Sequence, residues 1–205
     1  MGINLLHNRK RNIQPVRSGS MQYINIYTDG ACSGNQNETN AGGWGAILEY
    51  GQHRKELFGG EADTTNNRME MKALLFALEA LKKDRQVIRV FSDSSYLMNC
   101  FRDRWYDKWR LNNWKTGKKA DVENRDLWEA LLFYLEKHDI RFYRVKGHVN
   151  LKSKSTDLDK LYQKFVEWNG PAFTMEDFLK VTEMNNRADA LANMGILEIR
   201  PKTDA

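Results

Sequence analysis

Apolar and polar residues alternate over 22–28. The run Tyr23-Ile24-Asn25-Ile26-Tyr27 has the two-residue period of a strand, which ends in Asp29 with glycine and small residues behind it. Alternation returns in AGGWGAILEYGQHRKELFGGE, residues 41–61. There Trp44, Ala46 and Leu48 share a face, Gly51 marks a turn and Leu57-Phe58 lies on the returning strand of a hairpin. The period then changes. TTNNRMEMKALLFALEALKK predicts a helix that Thr65 or Asn66 can cap, with Met69, Ala73, Phe76, Ala77 and Ala80 on one face. QVIRVFSD reads as a short buried strand ending at Asp93, and a helix follows from about Ser95 with Ser94 as its cap.

A loop rich in aromatic and basic residues separates this half from the next. NRDLWEALLFYLEKHD is amphipathic at helical spacing, and IRFYRVKGH is a strand running to a glycine and His148. A helix over about 158–168 sets Leu158, Leu161, Tyr162, Phe165 and Trp168 on one face, and Asn169-Gly170-Pro171 stops it. Another begins at Thr174, where Thr174 and Asp177 fit a capping box, and a last helix, NNRADALANMG, is closed by Gly195. Strands followed by alternating helices and strands imply an α/β domain, a mixed sheet covered by helices.

At 205 residues the chain suits one domain with additions. No apolar run approaches the length that spans a bilayer, and the N-terminus lacks an apolar signal core. Cys32 and Cys100 are therefore read as reduced thiols of a cytoplasmic protein, with no electropositive partner that would make either a nucleophile. The net charge of +5 is uneven. Residues 1–20 carry four cations and no acid and read as a disordered basic tail; 201–205 form a second short tail. Segment 102–119 matters more. Seven Lys and Arg face two Asp there, and Trp105, Tyr106, Trp109 and Trp114 are interleaved with them. That mixture suits a polyanion with a stackable or apolar surface.

Carboxylates occupy comparable places. Asp29 and Asp93 end strands, Glu70 lies in the first turn of a helix, and Asp189 has small or apolar neighbours on the last helix. Adjacent strand ends can gather such groups in one crevice. Crowded ionised acids repel one another unless their pKa values rise or cations neutralise them. Oxygen ligands without cysteine or several histidines favour Mg²⁺ or Mn²⁺ over Zn²⁺. Two such ions about 4 Å apart can stabilise the attacking and leaving oxygens of phosphoryl transfer.

YTDGACSGN, TTNNRMEMKALLFALEAL, FSDSSY, NNWKTGKKADVENRDLW, RVKGH and NNRADALA stand in the order found in type 1 ribonuclease H, and the chain closely resembles the bacterial ribonuclease HI family over about 22–195. The resemblance implies a five-stranded mixed sheet flanked by helices, within a domain over 21–200. It implies endonucleolytic hydrolysis of the RNA strand of RNA–DNA hybrids, giving 5′-phosphate and 3′-hydroxyl ends. Asp29, Glu70, Asp93 and Asp189 match the metal-binding catalytic carboxylates, holding two Mg²⁺ for which Mn²⁺ can substitute. His148 matches a histidine that assists proton transfer or product release from a mobile loop. Asn35, Asn66 and Asn67 match contacts to the hybrid minor groove, and Thr65 and Asn124 match a phosphate pocket for the DNA strand. Segment 102–119 matches a basic handle in which Lys115, Lys118 and Lys119 follow phosphates while Trp105 packs. No obligate protein partner is expected, and the protein should act as a monomer.

Two departures stand out. The family often carries arginine two residues before the Thr65 position, and this chain has Asp63, which implies a weaker phosphate pocket or rescue by a nearby lysine. Residues 149–184 form an insertion between KGH and the Asp189 helix. It reads as a helical hairpin packed by Leu161, Phe165, Trp168 and Phe178. Alternatively it sets the mobility of the His148 loop or enlarges the substrate platform through Lys152, Lys154, Lys160 and Lys164. Two other functions compete. A transposase- or integrase-like enzyme is disfavoured by TTNNRMEMKA and the handle, and a hybrid-binding module without catalysis is disfavoured by retention of the four acids and His148.

Overall fold

The computed structural model describes residues 23–34 and 40–199; both tails and Asn35 lie outside the described residues. The elements are β1 (Ile24–Ser33), β2 (Ala41–Tyr50), β3 (His53–Ala62), α1 (Asn66–Glu79), β4 (Val87–Ser92), α2 (Ser95–Arg102), α3 (Trp105–Leu111), α4 (Arg125–Lys137), β5 (Asp139–Arg144), α5 (Leu158–Asn169) and α6 (Met175–Ile199). They build a five-stranded mixed sheet in the order β3-β2-β1-β4-β5. β1–β2 and β2–β3 are antiparallel, whereas β1–β4 and β4–β5 are parallel and need the helical crossovers that the alternating pattern predicted.

Alternation along the strands fills two cores, one on each face. Ile26, Ile88 and Val90 point into the first, under α1, α2 and α4. Trp128 is fully buried there and donates its indole N–H to the Tyr96 hydroxyl at 3.0 Å. Tyr27 and Phe91 point the other way, stack with centroids 5.3 Å apart, and meet Phe165, Phe173 and Phe178 from the C-terminal third. The helices expected within 149–184 are present as α5 and the start of α6, with the Phe165 and Phe178 ring centroids 5.6 Å apart. α5 and the start of α6 roof the second core, because Tyr27, Ile47 and Phe91 would otherwise face water.

Three boundaries also differ from expectation. The handle contains a helix, α3, where a loop was expected; Trp109 packs on Trp128 and Trp114 is buried, so its aromatic spacing serves packing as well as display. The two C-terminal helices are one, α6, uninterrupted from the Thr174–Asp177 capping box through Asp189. Gly195 does not close it. A Cβ there would strike the Gly59 carbonyl, so this glycine serves close helix–sheet contact. The same contact explains part of AGGWG: a Cβ on Gly45 would overlap the Ala188 carbonyl oxygen, one residue before Asp189.

Gly45→Ala should thus lift α6 off β2 and cost about 1–3 kcal/mol. Urea unfolding measures the loss; an unchanged midpoint would mean that α6 does not rest on this glycine.

Candidate active site

Asp29 does not end its strand. β1 continues to Ser33, paired with β2 throughout, including Asp29 opposite Gly45. On its other flank, pairing with β4 stops at Thr28 opposite Ser92. The chain leaves the sheet there with Asp93, the first residue past β4, so Asp29 sits where one neighbouring strand departs and the other remains. That divergence opens a crevice at the carboxyl end of β4. α1 approaches it so closely that a Cβ on Gly30 would overlap the Glu70 backbone, which sets Glu70 against Asp29. α6 delivers Asp189 from the opposite side.

The four acids and His148 line one open cavity of about 480 Å³, together with Asn66 and Asn193. Asp29 is 5% exposed; its Oδ1 accepts the Gly30 N–H at 2.7 Å, and its Oδ2 is buried without a hydrogen-bond partner. Asp93 Oδ1 is likewise buried and unpartnered. Asn66 Nδ2 donates to Glu70 Oε1 at 3.1 Å, and the Ser94 hydroxyl bonds Glu70 Oε2. Asp189 Oδ1 accepts from Asn193 Nδ2 at 3.0 Å. His148 has φ 54°, an exposed imidazole, and Nδ1 3.7 Å from Asp189 Oδ2.

Burial, then the charges of Asp93 and Asp189, push the Asp29 carboxyl up to about 8. Burial raises Glu70 to about 7 against the Ser94 hydrogen bond, with Asp93 adding to the rise. Asp93 is also raised, by burial first; His148 and the nearby Asn185 amide oppose this, the amide without a hydrogen bond of ordinary geometry. Among the described residues no three acid, histidine or cysteine side chains already close on an ion-sized point. The acids instead face a shared space with two orphaned oxygens. An all-oxygen donor set of this kind fits hard divalent cations, which would supply the missing partners and relieve the repulsion. Cys32 stands at the rim, but burial and then Glu70 raise its thiol, which suits the expectation of a non-nucleophilic cysteine.

The other predicted residues group less tightly. Thr65 caps α1, its Oγ1 accepting the Arg68 N–H at 3.3 Å. Asn124 precedes α4 in a left-handed conformation, and its Oδ1 accepts from Arg68 Nη1 at 3.3 Å. Arg68 also grips Asp126 with both Nη atoms, at 3.1 and 2.8 Å, so this residue joins the two neighbourhoods, its backbone N–H on Thr65 and its guanidinium on Asn124. Arg68 is the cation beside Asn124, and nearby Lys72 pairs with Glu61. Asn67 is half-buried. Lys118 and Lys119 are exposed on the handle, and Lys115 pairs with Asp121 at 2.5 Å across a two-residue bridge. Lys152, Lys154, Lys160 and Lys164 are all exposed.

Sequence reasoning missed Ser94 as a Glu70 partner, having taken it for a cap alone. It also missed Asn185, fully buried one turn before Asp189; the i, i+4 spacing was the available signal. Gly147 escaped it too: a Cβ there would overlap the Asp93 carboxylate, so only glycine lets this loop lie against the acid.

The RNase H family model matches residues 21–167, more than half of the chain. The match stops before α6, so the place of Asp189 rests on the geometry described above. A ribonuclease H from Syntrophomonas wolfei is 53% identical over 128 residues, 62% of this chain and 86% of its own. One from Acetivibrio thermocellus is 52% identical over 128 residues, 62% and 84% of the two chains. Among solved structures, LC9-RNase H1, a type 1 RNase H with the type 2 active-site motif, has the same fold at TM-score 0.63, covering 90% of this chain and 76% of its own at 23% identity. No helix among the described residues is long and apolar enough to cross a membrane. With its sheet order, its acidic crevice and these relatives taken together, the chain belongs to the ribonuclease H family.

Proposed function

We propose that the protein is an endonuclease that hydrolyses the RNA strand of RNA–DNA hybrids with two divalent ions, preferably Mg²⁺, leaving 5′-phosphate and 3′-hydroxyl ends. One observation carries the reading: acids from β1, α1, the β4 terminus and α6 meet in one crevice, where Asp29 and Asp93 each keep an unpartnered buried oxygen. Asp29, Glu70, Asp93 and Asp189 would hold the ions. When bound, these would lower the pKa of a water and stabilise the leaving 3′-oxygen. The protein's part is positioning. The sheet aims Asp29, Ser94 and Asn66 fix Glu70, and Gly147 lets the loop reach Asp93. His148, exposed with Nδ1 3.7 Å from Asp189 Oδ2, would assist proton transfer or product release.

Asn66 and Asn67 would read the hybrid's minor groove at the start of α1, and Asn35 would join them. Thr65 and Asn124 would hold a phosphate of the DNA strand with Arg68 between them. Lys115, Lys118 and Lys119 would follow phosphates along the handle, so binding weakens with salt. Discrimination needs a 2′-hydroxyl on the cut strand and a deoxy partner strand.

The direct test is cleavage of labelled hybrid, duplex RNA and duplex DNA with Mg²⁺ or EDTA. Metal-dependent cutting of hybrid RNA alone, with turnover falling about a hundredfold or more in Asp29→Asn, is expected. Cutting of duplex DNA would favour the transposase-like reading, and binding without cutting would favour the non-catalytic one.

The raised carboxyls make a second prediction. Asp29 and Glu70 bind protons more tightly folded than unfolded, so metal-free stability is greatest below the ordinary carboxylate range and declines as pH rises through about 7 and 8. Without divalent ions, the melting temperature should fall between pH 5 and pH 9. Mg²⁺ should restore it at pH 8.5 and do little at pH 5, and Asp29→Asn should flatten the slope. A metal effect equal at both pH values would contradict the shared site.

Asp63 tests the phosphate pocket. Its φ is 52°, and its N–H bonds the Asn40 carbonyl at 2.7 Å. Asp63→Arg should tighten hybrid binding severalfold at low salt while costing a little stability from the left-handed backbone. Equal affinity in titrations at two salt concentrations would remove this position from the pocket.

A further inference from the structure

Asn169 ends α5 against the open edge of β5. Its Oδ1 accepts the Arg144 N–H at 2.8 Å, and its Nδ2 donates to the Arg144 carbonyl at 2.8 Å and to the Phe165 carbonyl at 2.9 Å. Among the described residues β5 has a neighbour strand on one side alone, β4, and Arg144 is its last residue, opposite Ser92. A primary amide offers the same donor and acceptor as a peptide group. Asn169 therefore stands in for one residue of a missing sixth strand.

The place of this clamp gives it consequence. Val145, the next residue, donates its N–H to the Ser92 carbonyl at 3.1 Å, beside Asp93. Gly147 then lies against the Asp93 carboxylate, and His148 stands at the crevice. Beyond it, Asn186 Nδ2 donates to the Val149 carbonyl at 2.8 Å. The histidine loop is thus held at one end by an amide from α5 and at the other by an amide from α6. The Arg144 guanidinium, 4.5 Å over the Trp168 ring, packs the same junction from its side chain. Asn169 is where the segment between KGH and NNRADALA grips the end of β5.

We propose that Asn169 is a positioning residue. By pinning Arg144 it fixes where the Gly147–His148 loop leaves the sheet, and so limits how far His148 strays from Asp189. This rests on the hybrid-cleavage reading for its effect on turnover, but its structural half does not.

The test uses the full chain with Asn169→Ala, Asn169→Asp and, as a control, Phe165→Leu, which loosens the second core without removing the clamp. Amide exchange is followed by NMR on metal-free protein. In Asn169→Ala, exchange at Arg144 and Val145 should speed roughly tenfold, as expected when hydrogen bonds that close a local opening are lost, while β1 and α1 amides stay as they were. On hybrid substrate, kcat should fall about fivefold or more with KM within about twofold, the pattern of a group that acts in the transition state. Asn169→Asp keeps the acceptor for the Arg144 N–H and loses the donor, so it should lie between. Phe165→Leu should lower the melting temperature and leave kcat near wild type. Unchanged exchange at Arg144 and Val145, or a loss of kcat in Phe165→Leu as large as in Asn169→Ala, would overturn the proposal. If the wild-type protein does not cut hybrid at all, the functional reading fails, and the exchange data still decide whether Asn169 holds the loop.

Discussion

Repulsion among buried carboxylates is the constraint on which this structure turns. Asp29 is driven up to about 8 by burial and by the charges of Asp93 and Asp189, and Glu70 follows to about 7. Such a cluster would spread apart on flexible supports. Here each member is fixed by something rigid. Asp29 is paired into a central strand, and Glu70 is pinned by Ser94 and Asn66. Asp189 is carried by a 25-residue helix whose backbone rests on strand glycines. The frame holds in place a charge distribution that divalent cations would neutralise.

That demand explains the C-terminal third. α6 must begin far from the crevice to be anchored well and must still present Asp189 to Asp29. Phe178, Val181 and Met184 in its first turns bury into the second core, with Phe165 and Phe173 from the preceding segment. Residues between KGH and NNRADALA are thus not an appendage laid on a finished domain. They cover Tyr27 and Phe91 on the sheet's second face and tie the end of β5 to α5. The handle follows the same economy: Trp109 and Trp114 brace it on the Trp128 core while its lysines remain in water.

Much of this was legible in sequence, for identifiable reasons. Long amphipathic runs such as 64–83 and alternating runs such as 41–61 carry their own periodicity, so α1, β2 and β3 were readable. Asp93 was placed correctly because a strand pattern stops beside it. Asp29 was misplaced as a strand end because small residues after it resemble a turn; what extends β1 is continued pairing with β2, a non-local fact. Gly195 reads as a helix stop in sequence because glycine usually is one. Its contact with Gly59 lies more than a hundred residues away in sequence and cannot be seen locally. Asn169 does end α5, as the stop signal predicts, but its bonds to Arg144 are with a strand and cannot be read locally. The convergence of the four acids was accessible through family resemblance, since no spacing brings α6 to β1.

The central claim is that the four acids form one divalent-cation site. Anomalous diffraction from crystals grown with Mn²⁺ tests it most directly. The account predicts Mn²⁺ density in the crevice lined by Asp29, Glu70, Asp93 and Asp189, and its loss in Asp29→Asn. Density elsewhere on the protein with the crevice empty, or density that survives Asp29→Asn unchanged, would contradict it.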